Sequence, residues 1–213
     1  MSPVSMQNLS EPPRPDERPS LLIIDMQLAI DHPSWAASGP RNNSCAEANV
    51  AVLLSTWRRR RWPIFHIRHE SRELQSTFWP AGPGAPFKPE AAPHPGEPVL
   101  SKWTANAFLS TDLESHLKQE GIHSVVVAGV ITNNSIESTV RMAGELGFEV
   151  TVVDDATFTF ARRDRRQHLW PAEDVHALSL ANLEQGGYAR INSTAEVCDL
   201  AAEPPTNDSD HRG

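Results

Sequence analysis

Apolar positions in this chain fall into short runs, separated by stretches rich in proline and glycine. Residues 1–19 are polar and proline-rich and are expected to form a disordered tail. They give way abruptly to Leu21-Leu22-Ile23-Ile24-Asp25-Met26. A short continuous apolar run of this kind predicts a strand covered on both faces, as in a parallel sheet. Ser44-Cys45-Ala46-Glu47 matches a capping box and predicts a helix running through about Trp57. Pro63-Ile64-Phe65-His66-Ile67 is the next strand candidate. Proline and glycine then dominate residues 69–98, with Phe78, Trp79 and Phe87 interspersed, which points to a lid or binding loop.

Regular alternation resumes beyond that loop. Thr111-Asp112-Leu113-Glu114 is a second capping-box match, and Gly121 is placed to end its helix. Ser124-Val125-Val126-Val127-Ala128-Gly129-Val130 is the clearest buried strand. After the turn Ile131-Thr132-Asn133-Asn134, the apolar positions Ile136, Val140, Ala143 and Leu146 keep helical spacing up to Gly147. Residues 148–153 predict a further strand, ending at Asp154-Asp155. Pro171 opens a helix over residues 172–183, and Ala189-Arg190-Ile191 suits a short edge strand. Residues 199–213 are acidic and polar and are expected to be a second disordered tail. Strands alternating with helices predict one α/β domain over residues 20–198, a doubly wound, mainly parallel sheet with helices on both faces. Ligands in such folds bind at the carboxyl ends of the strands. That rule marks Asp25, residues 66–69, residues 130–135 and Asp154.

Composition narrows the partners. A chain of 213 residues, 39% hydrophobic and 22% charged, can bury one sizeable core. Its net charge is −8, and its longest basic run is Arg58-Arg59-Arg60-Arg61. At the end of a helix such cations complement the dipole, so no nucleic-acid partner is expected. Cys45 and Cys198 form no metal-type or disulfide-scaffold spacing, which suits a reducing compartment. The N-terminal residues lack the apolar core of a signal peptide, and no run approaches the roughly 20 apolar residues of a membrane span. The expected location is cytoplasmic, with no membrane partner.

Three residues carry candidate chemistry. Asp25 ends an otherwise apolar strand, Lys102 follows the proline-rich loop, and Ser135 stands where a buried strand turns into a helix. Such a turn presents backbone N–H groups and a positive dipole end to a developing anion. Each residue also has an ordinary reading, as a loop cap, a surface lysine and an N-cap serine. Taken in order, Leu22-Ile23-Ile24-Asp25-Met26-Gln27, Lys102 and Gly129-Val130-Ile131-Thr132-Asn133-Asn134-Ser135-Ile136-Glu137-Ser138-Thr139-Val140-Arg141 resemble the isochorismatase-like cysteine hydrolases. Arg41-Asn42-Asn43 and His176-Ala177-Leu178 add to the likeness, which spans about residues 21–197 and leans toward the cysteine amidohydrolase branch.

The resemblance implies a catalytic triad of Asp25, Lys102 and the residue at 135. It also implies backbone oxyanion donors at Ile131 and Ser135, beside a cis Val130–Ile131 peptide. The implied reaction cleaves the C–N bond of a small amide, carbamoyl or lactam substrate, without a cofactor, in a homodimer or homotetramer. Gln27, Trp35, Phe87, Trp103 and Asn134 are the candidate substrate contacts. The aromatics Trp35, Phe78, Trp79, Phe87 and Trp103 suit either a pocket for a flat or apolar substrate or a subunit interface.

One position departs from the family pattern. A thiol becomes a strong nucleophile as thiolate, whereas the Ser135 hydroxyl ionises far less readily. The serine is read first as an engineered, inactivating replacement made to trap substrate. The alternatives are a natural serine in a weak homologue and a member that never uses a thiol. Nicotinamidases of this superfamily hold zinc through an Asp-x-His element, which His66-Ile67-Arg68-His69 lacks, so no metal is expected and the two histidines are taken as loop hydrogen bonders. Cys45 is expected to be a small packed residue in the first turn of a helix. Two other functions compete: vinyl ether hydrolysis with Asp25 as acid, and a non-catalytic protein that keeps the pocket for binding.

Overall fold

A computed structural model describes residues 18–202. The strands are β1 (Ser20–Ile24), β2 (Ile64–His69), β3 (Val99–Lys102), β4 (Ser124–Val130), β5 (Glu149–Phe158), β6 (Arg162–Arg163), β7 (Leu169–Trp170) and β8 (Arg190–Asn192). The helices are α1 (Ala46–Arg60), α2 (Leu113–Gln119), α3 (Glu137–Glu145), α4 (Ala172–Gln185) and α5 (Thr194–Ala202). Six strands form one parallel sheet in the order β3-β2-β1-β4-β5-β8, and β6 pairs with β7 as a separate antiparallel hairpin.

Side-chain alternation divides the core into two layers. On one face, Leu21, Ile23, Val126 and Ala128 pack with Val50, Leu53, Leu54 and Trp57 of α1 and Val197 of α5. On the other, Leu22, Ile24, Val125 and Val127 meet Leu117 of α2, Val140 and Ala143 of α3, and Leu180 and Leu183 of α4. Because both faces are covered, β1 and β4 are buried along their whole length. That is why they appear in the sequence as unbroken apolar runs. The chain winds outward from β1 through β2 to β3, then returns to lay β4 on the other side of β1. The carboxyl ends of β1 and β4 are therefore the switch point at which such sheets bind ligands. Gly129 (φ 123°) makes the close approach of these strands possible, since a Cβ there would stand 2.1 Å from the Ile24 carbonyl oxygen.

Several sequence expectations need correction. β3 starts directly after the stretch taken as loop and is not among the expected strands; it is a short edge strand with Val99 exposed, and it lacks the buried run that marks the others. The segment read as ending at Asp154-Asp155 continues to Phe158, because a register shift against β4 absorbs the two acidic residues. Their carbonyls are held there by Asn43 Nδ2 (2.8 Å to Asp154) and Asn49 Nδ2 (2.8 Å to Asp155). Neither capping box closes. Cys45 is the N-cap of α1 without a side-chain cap bond, and Glu47 turns to Arg41 and Lys88 instead of reaching back. In α2, Thr111 Oγ1 accepts from Leu113 N at 3.2 Å, whereas Glu114 pairs with Lys118. Helix α5 continues to Ala202, past the expected boundary at residue 198. The rest of the two expected tails, 1–17 and 203–213, lies outside the described residues. Among the described residues no helix is long and apolar enough to cross a membrane.

The long loop over residues 70–98 is tied down by Glu97. Its carboxylate accepts from Arg58 Nε (2.7 Å) and Nη2 (2.9 Å), from His94 N (2.8 Å), and lies 2.9 Å from His66 Nε2. Although burial opposes ionisation, these donors hold Glu97 down at about 2. A carboxylate depressed in the folded state stabilises the fold above its unfolded value of about 4.5 and loses that contribution as pH falls toward 2. The stability of a Glu97→Gln variant, followed by urea unfolding, is therefore expected to fall less steeply over this window than that of the parent. Parallel curves would remove the carboxylate from the account.

Candidate active site

Asp25 is the first residue past β1, in a left-handed turn at φ 55°. Its N–H donates to the Ile67 carbonyl at 2.9 Å, and its own carbonyl accepts from Gln27 N at 2.8 Å. Aspartate tolerates this region better than most residues, and strain of this kind collects at functional sites. Lys102 ends β3, and its side chain is fully buried. The ammonium donates to Asp25 Oδ2 at 2.7 Å and to the Thr104 carbonyl at 3.0 Å, and lies 3.5 Å from Ser135 Oγ. Two opposite charges taken this far out of water demand a close partner, and each is the other's. Asp25 Oδ1, by contrast, is buried without a hydrogen-bond partner. A buried, unengaged carboxylate oxygen is suited to proton transfer.

Ser135 lies in a wide helical turn, Thr132–Ile136, that joins β4 to α3. The preceding Val130–Ile131 peptide is cis. The Ile131 carbonyl accepts from Asn134 N (3.1 Å) and Ile136 N (3.3 Å). Helix α4 clamps the turn from outside. Thr132 Oγ1 lies 2.8 Å from His176 Nδ1, and Ser179 Oγ donates to the Thr132 carbonyl at 3.3 Å and to Glu137 Oε2 at 2.7 Å. On the inner side, Thr159 Oγ1 donates to Asn133 Oδ1 at 2.6 Å. Burial holds His176 below the ordinary imidazole value, so it meets Thr132 as a neutral ring. Thr132→Val leaves that ring nitrogen without its partner, an expected cost of about 1–3 kcal/mol in urea unfolding. An unchanged midpoint would show that α4 does not hold the turn through this bond.

The structure thus brings Asp25, Lys102 and Ser135 together at the carboxyl edge of the sheet. The other candidates divide. Gln27 is fully buried and already committed: Nε2 donates to the carbonyls of His69 (3.1 Å) and Ala85 (3.0 Å), and Oε1 accepts from His69 N (2.8 Å). It is a clasp between β1, β2 and the long loop, with no polar group left over for substrate. Trp35 donates from Nε1 to Thr77 Oγ1 at 3.1 Å and packs on Phe78 and Phe160, each with ring centroids 6.0 Å away. Phe78 in turn meets His69 edge-on at 5.3 Å. Trp35 and Phe78 therefore extend an aromatic wall from the site, whereas Phe87 packs on His66 at 5.8 Å. Trp103 is 47% exposed, with the Arg72 guanidinium 4.4 Å above its ring, and Asn134 is exposed next to Ser135.

Both histidines of the 66–69 segment are strand residues of β2, not loop residues. His66 is wholly buried against Glu97. His69 belongs to the site: its Nδ1 lies 3.5 Å from Lys102 Nζ. The strand-end rule marks it in the sequence, where it is taken only as a loop hydrogen bonder and not as a catalytic residue. Among the described residues, no group of three or more His, Cys, Asp and Glu side chains could hold a metal ion. Cys45, expected to be packed, is exposed at the start of α1 in a shallow surface depression with Asp31, Glu47 and Lys88.

Comparison with known proteins converges on one family. The isochorismatase domain model matches residues 19–196. YrdC of Bacillus subtilis (strain 168), described as an uncharacterized isochorismatase family protein, is 36% identical over 85% of this chain and 95% of its own. The ureidoacrylate amidohydrolase RutB of Enterobacter sp. (strain 638) is 26% identical over 87% of this chain and 90% of its own. A crystal structure from Chromobacterium violaceum ATCC 12472, described as an isochorismatase-family hydrolase, superposes with a TM-score of 0.82 and 49% identity. That match covers 86% of this chain and 93% of the other.

Proposed function

The chain belongs to the isochorismatase family of hydrolases, and from that footing we propose that it cleaves the C–N bond of a small amide, carbamoyl or lactam substrate through Asp25, Lys102 and Ser135. One observation carries this reading. A buried ammonium binds the Asp25 carboxylate at 2.7 Å and reaches the Ser135 hydroxyl at 3.5 Å, at the sheet's switch point. Likeness to RutB, an amidohydrolase by name, supports the substrate class.

In this mechanism Oγ of Ser135 attacks the carbonyl carbon, and the N–H groups of Ile131 and Ser135 hold the oxyanion at the start of the helical turn. Lys102 orients the Asp25 carboxylate, whose free oxygen takes and returns protons. Collapse releases the amine, and water then hydrolyses the acyl-serine. A hydroxyl in the thiol's place makes the attack slow unless a further base serves it. Vinyl ether hydrolysis is the second reading, favoured by the unpartnered Asp25 Oδ1, which could carry the acid proton.

The test is a screen of ureidoacrylate with small primary amides, carbamoyl compounds and lactams, reading ammonia or amine release from the parent protein and from Ser135→Cys. Release that depends on residue 135 supports the reading. A panel inert in both forms, with a vinyl ether cleaved, would replace it with the second.

A further inference from the structure

One buried imidazole next to the triad has no part in the chemistry so far. His69 ends β2 in register with Lys102 on β3, so the sheet itself sets the two side chains next to each other. Lys102 Nζ lies 3.5 Å from His69 Nδ1 and 3.5 Å from Ser135 Oγ. A single ammonium thus links imidazole and hydroxyl, placed to relay a proton between them.

The ring's surroundings make it a base. Phe78 packs edge-on against it, and burial pushes it below the ordinary imidazole value. Asp25 and Glu70 oppose that shift, while Lys102 adds to it. The Thr104 carbonyl accepts from Lys102 Nζ at 3.0 Å. A neutral imidazole has one N–H and one bare nitrogen, and Nδ1, which faces the Lys102 ammonium, is the bare one.

We propose that His69 is the proton acceptor that makes a serine workable at position 135, an assignment that rests on Ser135 being the nucleophile. As Oγ bonds to the carbonyl carbon, the π pair moves to oxygen, and Lys102 gives a proton to Nδ1 of His69 while taking the hydroxyl proton in its place. Collapse of the oxyanion breaks the bond to the leaving group, and an amine leaving group takes that proton from the imidazolium. Water then attacks the ester and gives a proton to His69. The C–Oγ bond breaks as that proton returns to Oγ. A thiol ionises readily enough for the Asp25 carboxylate alone to serve as its base, without the imidazole.

The experiment uses 4-nitrophenyl acetate as probe, with nitrophenolate release followed in the full chain. The variants are His69→Gln, His69→Ala, Ser135→Ala, Ser135→Cys and the His69→Gln/Ser135→Cys double. In the serine form His69→Gln is expected to lower kcat about 10²–10⁴-fold with little change in KM and to remove the acidic limb of the pH–rate profile. In the cysteine form the loss should stay below about tenfold, since the thiolate no longer relies on the imidazole. Added imidazole should restore His69→Ala in the serine form. Equal losses in both backgrounds without rescue would make His69 structural, and no loss would make it idle; either overturns the proposal. If the parent is no faster than Ser135→Ala, the nucleophile itself is lost, a failure distinct from that of His69.

Discussion

Ser135→Cys is expected to raise amide turnover by several orders of magnitude with little change in substrate affinity. The position is buried, and its Oγ lies 3.5 Å from Lys102 Nζ in a turn clamped by α4. Sulfur is nearly isosteric with the hydroxyl oxygen, so the pocket and its ground-state contacts should survive. What changes is the nucleophile, since the nearby cation favours the thiolate and the unengaged carboxylate oxygen can take the thiol's proton. An effect confined to the transition state appears in kcat and leaves KM nearly fixed. Asp25→Asn in the cysteine background should abolish the gain, because the amide cannot take the thiol's proton. Equal activity in the serine and cysteine forms would show that residue 135 is not the nucleophile. Acid catalysis by Asp25 would then lead.

The second large effect is on stability. Lys102→Met should destabilise the fold by about 3–5 kcal/mol, because it leaves the Asp25 carboxylate buried without its cation. Lys102 is wholly buried and Asp25 only 4% exposed, so water cannot readily take the lysine's place. The Thr104 carbonyl loses a donor in the same step. Asp25→Asn should cost less, since the amide still offers an oxygen to the ammonium. Replacing both partners with apolar residues should recover much of the loss, because no charge is then stranded. Urea unfolding of the three variants measures this. A Lys102→Met cost below about 1 kcal/mol would mean that the pair is solvated, as surface pairs are.

The sequence makes the sheet's centre easy to read and its edges hard. β1 and β4 are covered on both faces, so every position is apolar and the strands are visible as runs. β3 has an exposed Val99 and follows a proline, so nothing in its pattern distinguishes it from loop, yet it carries Lys102. Asp154 and Asp155 look like a strand end because acidic residues are rare within parallel sheets. The side-chain amides of Asn43 and Asn49 that secure their carbonyls come from more than a hundred residues earlier in the chain. Asp25, Lys102 and Ser135 were legible through family order and strand-end position. Gln27 was misjudged because its three hydrogen bonds all run to distant backbone, which no local pattern reveals. His69 was undervalued for a related reason. Its weight comes from its register with Lys102, and that register requires a strand the pattern does not show.

The central claim is that residue 135 takes a covalent acyl group at a site built by Asp25 and Lys102. Acid-quenching the parent protein during turnover of 4-nitrophenyl acetate, followed by peptide mass mapping, tests it most directly. The expected result is a single acetyl group on the peptide containing Ser135, formed at the rate of the nitrophenolate burst and absent in Ser135→Ala. Continued hydrolysis with no label at Ser135, or with the label on exposed Cys45, would contradict it.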